Sequence, residues 1–312
     1  MGGRLVQYLV HGSGYRVRAA SRGDVQSEWG NGEFVRLDRS VSRRSLAEAC
    51  RNVSHIIHLA SPNEQQAESD PEAAVEGTIG VTVRLLEESI SAGVSRLVYV
   101  STIQVYGAPL IGRVDESHPT RPVHPYAITH RAAEDFVLAA RRRGIESAVI
   151  RLSNAVGAPI NRSVNRWSLV ANDVSRQLME SGQFALRSSG RQYRDFVPMA
   201  DACRAIEHLL FLPTQLLADG VFNVGAGRSM RVRDLVLLVC QRYERLTGNV
   251  PEVHIPPASA NEDSQPLDYR IDKLLNTGFR LTASLEDELD ATLRLCAQSA
   301  AYQSTDPLTR SP

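Results

Sequence analysis

Two short stretches of this chain hold side chains of the types and spacing that proton transfer needs. The first is Ser101-Thr102-Ile103-Gln104-Val105-Tyr106-Gly107, which directly follows an apolar run. The second is Tyr126-Ala127-Ile128-Thr129-His130, which opens a helical pattern after His124-Pro125. A hydroxyl at a strand end and a phenol at a helix start can share a proton with a substrate alcohol or ketone. Tyr126 is then the general acid or base, and Thr102 orients the oxygen. A Tyr at a helix start is by itself more often structural than chemical. The pairing with Thr102 turns the balance.

Such a pair has to be held by a rigid frame, and the first half of the chain reads as one. Runs at 15–20, 34–37, 55–60, 97–101 and 148–152 are short, apolar and strand-like. Between them, 45–51, 76–92 and 126–142 carry apolar residues at helical spacing. Strand–helix alternation of this kind predicts an α/β fold, a doubly wound parallel sheet with helices on both faces. Such sheets bind ligands at the carboxyl ends of their strands, where Thr102 falls.

After Leu152 the rhythm changes. A polar loop and a helix within 161–186 precede a turn at Ser188-Ser189-Gly190, and a helix is expected near 199–212. Val221-Phe222-Asn223-Val224-Gly225 reads as a strand ending in a turn, 230–243 as a helix, and 285–296 as a closing helix. The expected division is a dinucleotide-binding domain at 1–157 with returning segments around 197–227. A smaller substrate lobe takes 158–196 and 228–300, and 301–312 forms a flexible tail.

Composition excludes several classes. Hydrophobic residues make up 43% of the 312, enough for a packed core. Lys plus Arg and Asp plus Glu number 35 each, so no net basic field draws nucleic acid or an anionic membrane. No apolar run reaches the roughly 18 residues that span a bilayer. The four cysteines, Cys50, Cys203, Cys240 and Cys296, show no CxxC pair or metal-ligand spacing, which suits free thiols in a cytoplasmic protein without a metal.

Five ordered landmarks give the chain a resemblance to the extended short-chain dehydrogenase/reductase family, of the UDP-galactose 4-epimerase type. The pattern S-T/S-x-x-V-Y-G matches Ser101 to Gly107, and YxxxK matches Tyr126 and position 130. R-x-x-N-x-x-G appears as Arg151-Leu152-Ser153-Asn154-Ala155-Val156-Gly157, and G-x-x-x-R-D-F as Gly190-Arg191-Gln192-Tyr193-Arg194-Asp195-Phe196. N-V-G-x-G is Asn223-Val224-Gly225-Ala226-Gly227. The resemblance implies a Rossmann-type sheet and an NAD(P)-dependent epimerase or 4-keto reductase acting on a nucleotide-sugar by hydride transfer. It also implies a homodimer. Asn154 and Arg194 are implied contacts to the substrate diphosphate, and the planar charged fork of Arg suits phosphate oxygens. The alternatives are a salt bridge of Arg194 with Asp195 or another carboxylate and a turn-capping role for Asn154.

Three departures qualify the resemblance. The YxxxK lysine is His130, which can donate to a ribose hydroxyl but is largely neutral near pH 7, so activation of Tyr126 is expected to be weaker. Its alternative is a surface His one turn into a helix. Where related 4,6-dehydratases carry Asp-Glu for water elimination, this chain has Ile103-Gln104, which favours epimerisation or reduction. The opening strand and the first glycines of T-G-x-x-G-F-x-G are missing, with Gly2 at the motif's last glycine. A truncated or misassigned start is expected. Other implied cofactor contacts are Arg22, Asp38, Leu59, Ala60, Ser61, Thr78, Tyr126 and His130. Arg22 stands where an NAD enzyme often has an acid, and Arg can accept a 2′-phosphate, which leans the choice of NAD or NADP towards NADP. A second functional reading is a catalytically impaired homologue that binds a nucleotide-sugar or a protein partner without turnover.

Overall fold

The computed structural model describes residues 1–12, 14–23, 32–161, 163–164, 166–258 and 265–305. The chain opens directly in helix α1 (Gly2–Gly12), whose Leu5 and Leu9, one turn apart, are both buried. Strands β1 (Arg18–Ser21) and β2 (Glu33–Arg36) pair in parallel as a sheet of their own. A second parallel sheet has the order β10–β6–β4–β3, with β3 at His55–His58, β4 at Arg96–Thr102, β6 at Glu146–Leu152 and β10 at Val221–Val224. The α/β architecture with a parallel sheet is as the alternation implied.

The central strands are buried on both faces, as covered parallel strands must be. Along β4, Val98 and Val100 face α1 and α8 (Met199–Phe211), whereas Leu97 and Tyr99 face the opposite layer. That layer holds α2 (Arg43–Cys50), α5 (Val81–Ser91) and α6 (Pro125–Ala139). Period two along one strand thus feeds two separate cores.

The two sheets share no strand-to-strand hydrogen bonds, so β1 and β3 each keep one unpaired edge among the described residues. The parallel strands of the described residues thus form two separate sheets rather than one. The ring of Phe211 lies between them, 4.8 Å from Tyr15 and 5.0 Å from the His55 ring, measured between centroids.

The C-terminal part packs α7 (Val170–Ser181), α9 (Val232–Thr247) and α11 (Leu285–Thr305) around a separate apolar cluster. A three-stranded sheet, β11 (Ser229–Arg231), β9 (Tyr193–Pro198) and β7 (Asn154–Val156), lies against it. The helix expected from 230 starts two residues later, because Met230 pairs with Arg194 across the sheet. The helix expected over 76–92 begins with a π turn at Glu76–Gly80 and becomes α-helical from Val81. The tail expected from 301 is helical up to Thr305, and 306–312 lie outside the described residues. No helix among the described residues is long and apolar enough to cross a membrane.

Candidate active site

Parallel strands deliver their carboxyl ends to one edge, and the chemistry collects there. Thr102 is the last residue of β4, and its hydroxyl accepts the Gln104 amide at 3.2 Å, starting a 3-10 turn at Ile103–Tyr106. Pro125 occupies the first turn of α6, where its missing N–H costs nothing. That places Tyr126 in the same first turn, with its phenol against the Thr102 hydroxyl. Burial pushes the phenol's pKa well up, Glu64 raises it further, and Arg166 and Thr102 oppose the shift. The resting phenol therefore holds its proton, the form a general acid requires. The structure brings Thr102 and Tyr126 together as the sequence pattern implied.

His130 is not on the surface: it is 2% exposed. Its ring meets Tyr126 edge-on at 4.5 Å, Nδ1 lies 2.7 Å from the Tyr99 hydroxyl, and Nε2 lies 3.1 Å from Ser61 Oγ. Burial, with His58 nearby, lowers its pKa to about 3. The imidazole is thus neutral, and it offers Tyr126 no positive charge.

Around this centre the other expected contacts divide. Gly2, in the first turn of α1, approaches Leu59, so the helix start adjoins the loop Leu59-Ala60-Ser61 after β3. The tighter glycine is its neighbour: a Cβ on Gly3 would meet Ile160 Cγ2 at 2.7 Å. Thr78 is buried in the π turn, where its carbonyl accepts the Thr82 hydroxyl at 2.6 Å. Arg22 and Asp38 lie apart from Tyr126, in a hollow of about 730 Å³ that Arg36, Arg39 and Arg44 also line. The Asp38 carboxylate accepts from Ser40 and Ser42, and the Ser42 hydroxyl and amide hold its pKa down at about 2.

On the substrate side, Arg194 is exposed and forms no salt bridge among the described residues, so the pairing with Asp195 does not occur. Asp195 turns inward instead, accepting from Ser153 Oγ at 2.5 Å and the Ala226 amide at 2.8 Å. Burial raises its pKa to about 6 against those bonds. Gly225 is required beside it, since a Cβ there would lie 2.6 Å from Asp195 Oδ1. Asn154 uses Nδ2 to bond the Asp195 carbonyl at 2.9 Å, tying β7 to β9.

Sequence reasoning missed Glu134. Its carboxylate is fully buried beneath the site, accepting from Ser101 Oγ at 2.5 Å and from Arg151 Nη2 at 2.8 Å. The Arg151 guanidinium lies over the Tyr106 ring, 4.8 Å from its centroid. A signal existed: Glu134 stands between Ala133 and Val137 on the apolar face of α6, where an acid demands a buried partner.

The family model for the NAD dependent epimerase/dehydratase family matches residues 1–225. The chain belongs to that family. A UDP-glucose 4-epimerase of Streptomyces lividans is 31% identical over 253 residues, covering 75% of this chain and 70% of that relative. A dTDP-6-deoxy-L-talose 4-dehydrogenase (NAD(P)(+)) of Kitasatospora kifunensis is 27% identical over 86% of this chain and 84% of its own. Among solved structures, MoeE5 in complex with UDP-glucose and NAD superposes with a TM-score of 0.76 at 24% identity, over 96% of both chains. At that identity the likeness to MoeE5 speaks for the fold alone.

Proposed function

We propose that this member of the epimerase/dehydratase family is a nicotinamide-dependent enzyme that epimerises or reduces a carbon of a nucleotide-sugar. The observation that carries the reading is the Thr102–Tyr126 pair at the carboxyl edge of β4, with the phenol protonated at rest. Tyr126 gives a proton to, or takes one from, the sugar oxygen, and Thr102 holds that oxygen in line. Ile103 and Gln104 have no carboxyl group for water elimination, so dehydration is disfavoured.

The donors present fit a nicotinamide dinucleotide. The first amides of α1 suit its pyrophosphate, Ser61 adjoins the ribose side, and the arginine-lined hollow suits the adenosine end. When bound, the nicotinamide supplies the hydride acceptor or donor. Because Arg22, Arg39 and Arg44 share one hollow, and Asp38 there is already engaged by Ser40 and Ser42, a 2′-phosphate is the fitting occupant. NADPH should then bind more tightly than NADH. The paired change Arg22→Ala and Arg44→Ala should remove about 1.5–3 kcal/mol of that difference, the range for a charged hydrogen bond. Fluorescence titration of both dinucleotides measures it, and equal affinities in the unmodified protein would dismiss the 2′-phosphate.

In this reading Arg194, exposed and without a carboxylate partner among the described residues, meets the substrate diphosphate. Arg194→Ala should weaken nucleotide-sugar binding by about 1.5–3 kcal/mol. Calorimetry with UDP and UDP-glucose reads this directly, and unchanged affinity would take Arg194 out of the site. A second reading, a family member that binds without turnover, is favoured by one observation: neutral, buried His130 provides no cation to make Tyr126 a base. Mass spectrometry of cofactor retained through gentle purification, followed by assay with UDP-glucose, separates the two.

A further inference from the structure

Tyr99 belongs to none of the roles above, yet its side chain is fully buried and its hydroxyl has one partner among the described residues, His130 Nδ1 at 2.7 Å. A buried phenol keeps its proton, and burial does push the Tyr99 pKa well above its ordinary value. An O–H pointing anywhere but at Nδ1 would be a buried, unsatisfied donor, which costs about 1–3 kcal/mol. Tyr99 therefore donates to Nδ1. A neutral imidazole has one N–H, so the ring hydrogen must sit on Nε2. Nε2 faces Ser61 Oγ at 3.1 Å, and so Nε2–H donates to Ser61. Ser61 has no other hydrogen bond among the described residues, and its own O–H is left to donate outward.

The neighbouring histidine obeys the same logic. Thr82 gives its only hydroxyl proton to the Thr78 carbonyl at 2.6 Å. The 3.0 Å contact to His58 must then be donated by His58 Nε2. The Tyr99 ring lies between the two imidazoles, with centroids 5.3 Å from His58 and 5.7 Å from His130. Both histidines are held in the same neutral tautomer, so a second ionisable ring stands against charging the first.

We propose that Tyr99 and His130 are positioning residues that orient the Ser61 hydroxyl as an outward donor to the nicotinamide ribose, in place of direct contact by residue 130. The inference rests on the nicotinamide reading of the site. It assigns the family's lysine position an indirect part: the imidazole stays in the core, and a serine on the adjoining loop does the binding. It also accounts for how a residue only 2% exposed can matter to a ligand.

The test combines nitrogen-15 NMR of the full chain with dinucleotide titration. His130 should show the Nε2–H tautomer with no titration between about pH 5 and 8. Ser61→Ala should weaken the better-binding dinucleotide by about 2- to 10-fold, the fold-change of one neutral hydrogen bond. Tyr99→Phe removes the donor that fixes the ring proton on Nε2, so the Nδ1–H tautomer of His130 should gain population and binding should weaken by at most a similar factor. The two changes together should cost no more than either alone, because they act through one hydroxyl. Ser61→Thr, which keeps the hydroxyl, should restore most of the affinity. An Nδ1–H tautomer in the unmodified protein overturns the proposal. So does firm dinucleotide binding that Ser61→Ala leaves unchanged. A protein that binds neither NAD(H) nor NADP(H) sinks the nicotinamide reading itself, and this inference with it.

Discussion

Tyr126→Phe should lower turnover by about 10²- to 10⁴-fold, the range for removing a positioned general acid or base. The change deletes one oxygen and keeps the ring that packs edge-on against His130. Folding, nucleotide-sugar affinity and dinucleotide affinity should therefore stay close to those of the unmodified chain. The loss should fall on kcat rather than KM, since the proton moves in the transition state and not on binding. Steady-state kinetics with a nucleotide-sugar that turns over, alongside a thermal melt, would read both parts. A variant with near-full rate would remove Tyr126 from the chemistry. One that melts much earlier would show that the hydroxyl is structural.

The frame of this site was legible in the sequence because its signals are local. Apolar runs between helical patterns gave β3, β4 and β6, and with them the edge where Thr102 sits. Pro125 marked the helix start that carries Tyr126. What escaped depends on contacts between distant segments. That His130 lies in the core is set by Tyr99, which is 31 residues away on β4. That Arg194 and Asp195 part company is set by Ser153 and the turn at Gly225, which draw the acid inward. The π turn escaped because helical residues flank it on both sides, Pro71–Val75 before it and Val81–Ser91 after it. Met230 reads equally well in a helix or a strand until Arg194 is known to lie across from it.

Glu134→Ala should cost about 3–5 kcal/mol of stability, the largest structural effect expected of a single substitution here. The carboxylate is fully buried and serves Ser101 and Arg151 together. Arg151 is itself only 5% exposed, so removing the acid strands a guanidinium in the core without its carboxylate partner. The register of the sheet passes the damage on to the site. Ser101 pairs with Arg151 and Thr102 with Leu152 in adjacent strands, so a displaced Arg151 shifts the residue next to Thr102. Activity should therefore fall before the fold is lost. Denaturant unfolding measures the stability term, and a loss under about 1 kcal/mol would mean the pair is not buried as described. Glu134→Gln, which keeps two hydrogen-bonding atoms but no charge, should fall between the two. Joining Glu134→Leu with Arg151→Met should recover much of the loss, because the penalty lies in the stranded charge rather than in the missing contact. In that double variant stability and activity come apart. Apolar packing can refill the core, but it cannot bond the Ser101 hydroxyl one residue before Thr102.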